Sequence, residues 1–341
     1  MTYRKKILCL SVLVLILAII FIFSLVFDPQ KQKGKSFAWL PQGMLNMVSD
    51  LEIYGSGNDK IVLSRKNNAW VFLKGTEELP VKQGRVEDLL SALAKKEIYP
   101  LRAGSAEARE RLALVEGRAS RIIVRGGAGL PLLDLLIGTA DVLNRNIYLK
   151  RADRNEIYSG EDRFTMFTEG KPNSWYDLRL FREPIRVDSV EQVDIVLPEG
   201  NLADRLPSGQ IQQQVSAGRE GEVSYTIRRS GGGWYFPGNE SQKPNNNMVD
   251  AWLRSVVEAE GEDFGNDPPI NIEGSLVLWL GDGTNRFLHI GSMDENGRRK
   301  AIVSEGELRP GPAAGSGSSL VFIFSEWTIK RLFRDGPYFT N

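Results

Sequence analysis

The chain has 341 residues, and its 43 lysines and arginines equal its 43 aspartates and glutamates in number. A net charge of zero lacks the basic excess with which nucleic-acid binders neutralise phosphates, so no nucleic-acid partner is expected. A single cysteine, Cys9, and a single histidine, His289, exclude an intramolecular disulfide, a Cys/His zinc site and a multi-histidine metal centre. No cofactor is predicted, and a chain of this length is expected to form about two domains.

The N-terminus predicts a membrane anchor. A basic tail, residues 1–6, precedes a charge-free apolar segment, residues 7–27. As a helix with a rise of ~1.5 Å per residue, this segment spans the ~30 Å hydrocarbon layer. It ends without the small-residue pattern of a signal-peptide cleavage site, which favours an uncleaved single-pass anchor. We expect the tail to be cytoplasmic, the bulk of the chain to be extracytoplasmic, and Cys9 to face lipid.

After a polar linker, residues 28–48, the sequence contains an internal duplication. Both copies begin with a strand and a hairpin of the form Arg-x4-Trp-x-Phe, at Arg65–Phe72 and Arg229–Phe236. The turns are Asn67-Asn68 and Gly231-Gly232, residues that tolerate the positive φ of tight hairpins. The hairpins lie 164 positions apart in the sequence.

A helix follows each hairpin. Residues 86–93 and 249–256 both place apolar side chains at positions i, i+3, i+4 and i+7, which predicts one buried stripe on each helix. An alternating strand that ends in glycine comes next, at Gly138 and Gly291, and then a second hairpin. In copy two, that hairpin is predicted to pair residues 301–304 with residues 307–308.

Each copy closes with Trp-x3-Arg-Leu-Phe-Arg. The predicted organisation is therefore a first α+β repeat (49–182), a junction (183–188), a second α+β repeat (189–334) and a C-terminal tail (335–341). Each repeat is predicted to be a mainly antiparallel sheet with one packed main helix. The closing motif is the predicted partner-interaction surface, and its candidate residues are Arg179, Phe181, Arg182, Arg331, Phe333 and Arg334. The alternative is an ordinary terminal helix with Leu and Phe inward and Arg outward.

The anchor, the W-x-F hairpin, the V-x-x-L-L-x-x-L helix, the L-x-I-G strand and the tyrosine hairpin together resemble the domain-of-unknown-function 4340 family. Copy one carries the residues that match best: Trp70, Val86, Leu89, Leu90, Leu93, Ile137, Gly138, Tyr148, Ile157 and Tyr158. The resemblance implies a bacterial envelope protein in the cytoplasmic (inner) membrane, often encoded beside ABC-transporter components of the gliding-motility type. It supplies no catalytic residues.

The motifs that suggest chemistry are weak. His289 lies in an alternating segment and is predicted to be a strand residue on a partly solvated face. Residues 125–129 are glycine-rich but lack the Gly-Lys-Ser/Thr of a phosphate loop, so they predict a hairpin turn. Residues 294–297 have the composition of a calcium loop without its ligand spacing and also predict a turn.

These observations favour a non-enzymatic, membrane-anchored accessory protein that acts as a scaffold or partner-binding subunit of an ABC-transporter-type or other envelope complex. An alternative is a module that binds an envelope polymer or glycan, since Trp39 and Trp279 do not fit the apolar pattern of the repeats. An extracytoplasmic hydrolase is a third alternative, although no pair of carboxylates is singled out.

Overall fold

A computed structural model of the protein describes residues 16–17, 35–55, 60–143, 145–198, 224–239, 242–305 and 320–340. Contacts divide the chain into two compact units, Met1–Trp175 and Tyr176–Asn341, called unit 1 and unit 2 below. The architecture is mixed α+β, with mostly antiparallel sheets and few helices, as predicted.

No helix within the described residues is long and apolar enough to cross a membrane. The predicted anchor, residues 7–27, lies outside them except for Ile16 and Leu17, which are helical.

In unit 1 the strands are β1 (Lys35–Phe37), β2 (Val48–Tyr54), β3 (Lys60–Lys66), β4 (Ala69–Lys74), β5 (Glu77–Pro80), β6 (Glu97–Tyr99), β7 (Leu101–Ala103), β8 (Ser120–Gly126), β9 (Pro131–Ala140), β10 (Asn146–Arg151) and β11 (Ile157–Glu161), and the helices are α1 (Gln83–Ala94), α2 (Ala106–Arg111) and α3 (Thr165–Thr168). Nine strands form one antiparallel sheet in the order β5-β4-β3-β2-β8-β9-β10-β11-β7, and β1 pairs with β6 separately. The inward side of this sheet is continuous because Leu51 of β2 lies opposite Leu63 on one side and Val124 on the other.

In unit 2 the strands are β12 (Val190–Val196), β13 (Ser224–Ser230), β14 (Gly233–Tyr235), β15 (Asp263–Phe264), β16 (Ile272–Leu280), β17 (Asn285–Met293), β18 (Arg298–Glu305) and β19 (Val321–Ser325), and the helices are α4 (Asn246–Val257) and α5 (Glu326–Leu332). They form an eight-stranded antiparallel sheet in the order β14-β13-β12-β16-β17-β18-β19-β15. This order equals that of the unit 1 sheet from β4 to β7, strand for strand along the chain.

Both predicted main helices form; α4 buries its whole apolar stripe, and α1 buries all of its stripe except Leu90, which is partly buried. In α1, Val86, Leu89 and Leu93 have no exposed surface. In α4 the buried residues are Val249, Trp252, Leu253 and Val256. The Asn245 side chain caps α4 by accepting hydrogen bonds from the N–H groups of residues 247 and 248.

Two predicted boundaries differ from the structure, and one predicted strand lies outside the described residues. The predicted linker, 28–48, ends early, because β1 pairs with β6 and Trp39 packs on the ring of Tyr99 at 5.2 Å. The first repeat was predicted to continue to Arg182, but the backbone at Leu180 donates to the carbonyl of Ala259 at 3.0 Å, which places this segment in unit 2. The predicted strand at 307–308 lies outside the described residues, and β18 pairs with β19 instead.

Candidate functional site

The first Arg-Leu-Phe-Arg motif is an irregular segment of unit 2 with an isolated β-bridge between Arg179 and Glu260, rather than the end of a helix. Leu180 and Phe181 are buried, at 3% and 5% exposure. Arg179 and Arg182 are exposed, and the guanidinium of Arg179 binds both carboxylate oxygens of Asp177, at 2.8 Å and 2.5 Å. Phe181 is therefore a core residue and unavailable to a partner.

The second motif lies at the end of α5 and is arranged differently. Phe333 is buried at 2% exposure, so this phenylalanine also belongs to the core. The guanidinium of Arg331 lies 5.2 Å from the ring centre of Trp327, and that of Arg334 lies 4.6 Å from the ring centre of Tyr338. Trp327 is 69% exposed. We call Trp327, Arg331, Arg334 and Tyr338 the cation–aromatic surface.

Several hydrogen bonds hold this surface in place. The Ser325 side chain accepts from the N–H of Thr328 and caps α5, and Glu326 pairs with Lys330 one turn along at 2.7 Å. The indole N–H of Trp252 donates to the carbonyl of Leu332 at 3.0 Å, and the hydroxyl of Tyr225 donates to the carbonyl of Arg334. The C-terminal end of α5 is thus tied to α4 and β13 through backbone groups that the helix itself leaves free.

The tryptophans of the two motifs occupy opposite environments. Trp175 is buried at 1% exposure in unit 1, where the guanidinium of Arg85 lies 4.7 Å from its ring centre. Trp327 projects from the surface of unit 2. The same sequence motif therefore places its tryptophan in the core of unit 1 and on the solvent-exposed surface of unit 2.

A second polar cluster lies on an exposed face of the unit 2 sheet. One carboxylate oxygen of Asp194 accepts from the indole N–H of Trp279 at 2.6 Å, and the other accepts from the hydroxyl of Thr226 at 2.8 Å. Trp279 is 39% exposed. The hydrogen bond fixes the edge of the indole ring.

A groove of about 450 Å³ lies beside α4. Its lining includes Arg186, Asp188, Arg229 and Asp250, which form two ion pairs: Arg186 with Asp188 at 2.7 Å, and Arg229 with Asp250 at 3.1 Å. Each of these four charged side chains therefore has an oppositely charged partner in the groove wall.

His289 lies in β17, as predicted, but it is only 7% exposed, so the expected solvated face is wrong. Its ring stacks on Phe287, with the ring centres 5.8 Å apart, and burial lowers its pKa. Residues 127–129 and 294–297 form turns, as predicted. Within the described ranges, no three His, Cys, Asp or Glu side chains gather as a metal site.

Glu52 on β2 accepts hydrogen bonds from three neighbouring side chains. Burial raises its carboxyl pKa, but hydrogen bonds from Tyr54, Lys60 and Arg125 outweigh burial and lower the pKa to about 2. The distances to Tyr54, Lys60 and Arg125 are 2.7, 3.1 and 3.0 Å. This arrangement is an ion-pair network on a strand.

The model of the family described as a domain of unknown function, DUF4340, matches residues 70–272, which is more than half of the chain. The chain belongs to this family. No curated protein and no solved structure matches this DUF4340 member. The matched range contains hairpins of both units, from Trp70 in β4 to Ile272 in β16.

The aromatic rings of the cation–aromatic surface, exposed Trp327 and half-buried Tyr338, were not predicted from the sequence. The spacing of Trp327 and Arg331, four positions apart, is the signal that places both on one helix face. Tyr338 lies in a short 3-10 helix after α5 and carries no comparable signal.

Proposed function

We propose that this DUF4340 protein is a membrane-anchored, extracytoplasmic accessory protein without enzymatic activity that binds a partner through its cation–aromatic surface. The charge-free segment 7–27 supports the anchor, and the basic tail supports the orientation. The partner we propose belongs to an ABC-transporter-type or other envelope complex. The exposed Trp327, with the guanidinium of Arg331 over its ring, is the observation that carries the proposal.

We further propose that the two units are tandem repeats of one ancestral fold. The identical strand order supports a duplication. The first residue of each main helix also supports it, because each carries a side-chain amide. The amide of Gln83 accepts from the backbone N–H of Trp70 at 2.8 Å, and that of Asn246 accepts from the backbone N–H of Trp234 at 2.8 Å. In both units the side-chain amide at this position binds the backbone N–H of the hairpin tryptophan.

Two glycines, each two residues before the end of its strand, Gly138 in β9 and Gly291 in β17, support the same proposal. A Cβ at Gly138 would lie 2.2 Å from the carbonyl oxygen of Leu112, and a Cβ at Gly291 would lie 2.3 Å from a carbon of Pro269. In each unit, the lack of a side chain at the glycine leaves room for the segment that packs over the strand. A shared scaffold with different surfaces gives the second repeat the partner-binding role.

The chemistry of the surface favours a partner with exposed carboxylates. Arg331 and Arg334 are half-buried cations that lie over aromatic rings, and the guanidinium group pairs readily with carboxylates. Tryptophan, tyrosine and arginine are also the residues that dominate binding energy in protein interfaces.

The test is affinity purification of the full chain from solubilised membranes of the cell that encodes it, with quantification of each co-purifying membrane protein. Trp327→Ala combined with Arg331→Ala should reduce recovery of the partner about tenfold or more, equivalent to ~1.4 kcal/mol. Arg182→Ala is the matched control, because Arg182 is the exposed arginine of the other motif and should leave recovery unchanged. Recovery of the chain alone, or equal recovery with all variants, would contradict the proposal.

A second candidate function is binding of an envelope glycan at Trp279. Its half-exposed ring, with the N–H fixed by Asp194, resembles a platform on which sugars stack. The full chain should then co-sediment with insoluble envelope polysaccharide, and Trp279→Ala should abolish co-sedimentation while Trp327→Ala leaves it intact. Absence of co-sedimentation by the parent chain would remove this candidate.

A further inference from the structure

The hairpin between β9 and β10 presents two aliphatic side chains to solvent. Val142 is 100% exposed and Leu143 is 71% exposed. The turn is braced from within: one carboxylate oxygen of Asp141 accepts from the N–H of Leu143 at 3.2 Å and from the N–H of Arg145 at 2.9 Å. The other oxygen accepts from the side-chain amide of Asn146 at 2.9 Å. These bonds hold the N–H groups of Leu143 and Arg145 on Asp141; Val142 and Leu143 are called the apolar tip below.

Unit 2 contains the same turn with a polar tip. Asp294 of the β17–β18 hairpin accepts from the N–H of Asn296 at 2.9 Å and from the N–H of Arg298 at 2.8 Å. The aspartate therefore braces residues two and four positions on in both hairpins. The residues at the tip of this second turn are Glu295 and Asn296. The turn thus requires its aspartate but not an apolar pair, and the fold leaves Val142 and Leu143 unexplained.

The apolar tip lies at the end of the sheet where the chain enters unit 1. Lys35 at the start of β1 pairs with Tyr99, and the ring of Tyr99 covers Gly160, where a Cβ would lie 2.6 Å away. Gly160 pairs in turn with Ile147, which follows the tip on β10. Residues 28–34, between the predicted anchor and Lys35, can extend over at most about 25 Å. A membrane that holds the anchor is therefore within reach of the tip.

We propose that the apolar tip inserts into the interfacial layer of the membrane that holds the anchor and thereby orients unit 1 on that surface. This inference rests on the proposed membrane anchoring. Two aliphatic side chains bind a bilayer weakly by themselves, but the anchor raises the effective concentration of lipid at the tip, so weak insertion suffices. Arg145 borders the tip, and Lys35 starts β1; both charges suit anionic headgroups.

The test places an environment-sensitive nitrobenzoxadiazole probe at the tip of the full chain in vesicles of phosphatidylcholine and phosphatidylglycerol. Val142→Cys is labelled in a Cys9→Ser background, which removes the natural thiol. The matched control is Glu295→Cys, at the corresponding position of the polar turn. The Val142 probe should emit at shorter wavelength than the control and be quenched at least about twofold by nitroxide-labelled lipids, as expected for a group in the interfacial layer.

Each result decides one claim. A chain that fails to float with the vesicles contradicts the proposed anchoring. A chain that floats while its Val142 probe emits like the Glu295 control overturns tip insertion but leaves the proposed anchoring intact. Leu143→Asp, which keeps the Asp141 brace, should return the Val142 probe to the emission of the control, and persistence of the shift would also overturn insertion.

Discussion

Alanine at Gly138 should strongly destabilise unit 1. The added Cβ would lie 2.2 Å from the carbonyl oxygen of Leu112 and 2.9 Å from the side chain of Leu114. To restore ordinary contact at 3.4 Å, the carbonyl must retreat by about 1.2 Å. This movement breaks the hydrogen bond that the N–H of Thr139 donates to Leu112 at 3.0 Å.

The magnitude follows from two costs. The lost hydrogen bond accounts for about 0.5–1.5 kcal/mol, and overpacking at a close contact costs ~1–3 kcal/mol. The free energy of unfolding of unit 1 should therefore fall by about 2–4 kcal/mol.

Hydrogen exchange of β9 peptides in the detergent-solubilised full chain is the assay, because the two units need not unfold together. A loss of 2–4 kcal/mol should speed exchange about 30- to 700-fold. Gly127→Ala is the control, because a Cβ there meets nothing within 4 Å, and exchange should stay near that of the parent. Parent-like exchange of β9 in Gly138→Ala would refute the close-approach argument.

Three further outcomes are expected from urea unfolding. Because burial lowers the pKa of His289, the unfolded chain binds a proton more readily than the folded chain, and the free energy of unfolding should fall as the pH drops below about 6.5. His289→Leu should reduce the loss of stability between pH 7 and pH 5. An unchanged loss of stability in this variant would count against the role of His289. The carboxylate of Glu52, with its pKa of about 2, stabilises the fold above the unfolded pKa and loses this contribution as the pH falls towards 2. Glu52→Gln should therefore lower the urea midpoint at pH 7 and approach the midpoint of the parent as the pH falls towards 2. A difference in midpoint between variant and parent that stays constant with pH would disprove the linkage. Gln83→Ala removes the side-chain amide that binds the backbone N–H and C=O of Trp70 at 2.8 and 2.9 Å, and it should lower the free energy of unfolding by about 1–3 kcal/mol. Glu87→Ala, at a solvent-exposed position of the same helix, should lower it much less. Equal losses in the two variants would argue against the bridge from Gln83.

Local patterns were sufficient for the secondary structure. The i, i+3, i+4, i+7 stripes predicted both main helices, because a helix repeats every 3.6 residues whatever surrounds it. Alternation predicted the strands, and the Asn67-Asn68 turn has the positive φ that was expected. These features depend on residues close together in sequence.

The candidate surface required the tertiary structure. Two copies of Arg-Leu-Phe-Arg predicted two equivalent surfaces, yet both phenylalanines are buried, and only the second motif places its arginines over the rings of exposed Trp327 and half-buried Tyr338. Burial depends on what packs against a residue from distant parts of the chain, which a tetrapeptide does not encode.

The sequence by itself determined the antiparallel α+β class, the main helices and the family, because hydrophobic periodicity and turn chemistry are local. Tertiary structure alone decided that Trp175 is buried while Trp327 projects, that His289 lies in a closed environment, and that Val142 and Leu143 stand on a braced turn. These properties arise from strand pairing and crossover packing between residues far apart in the chain. For that reason the internal repeat in the sequence predicted a shared scaffold but not the different surfaces that the two units carry.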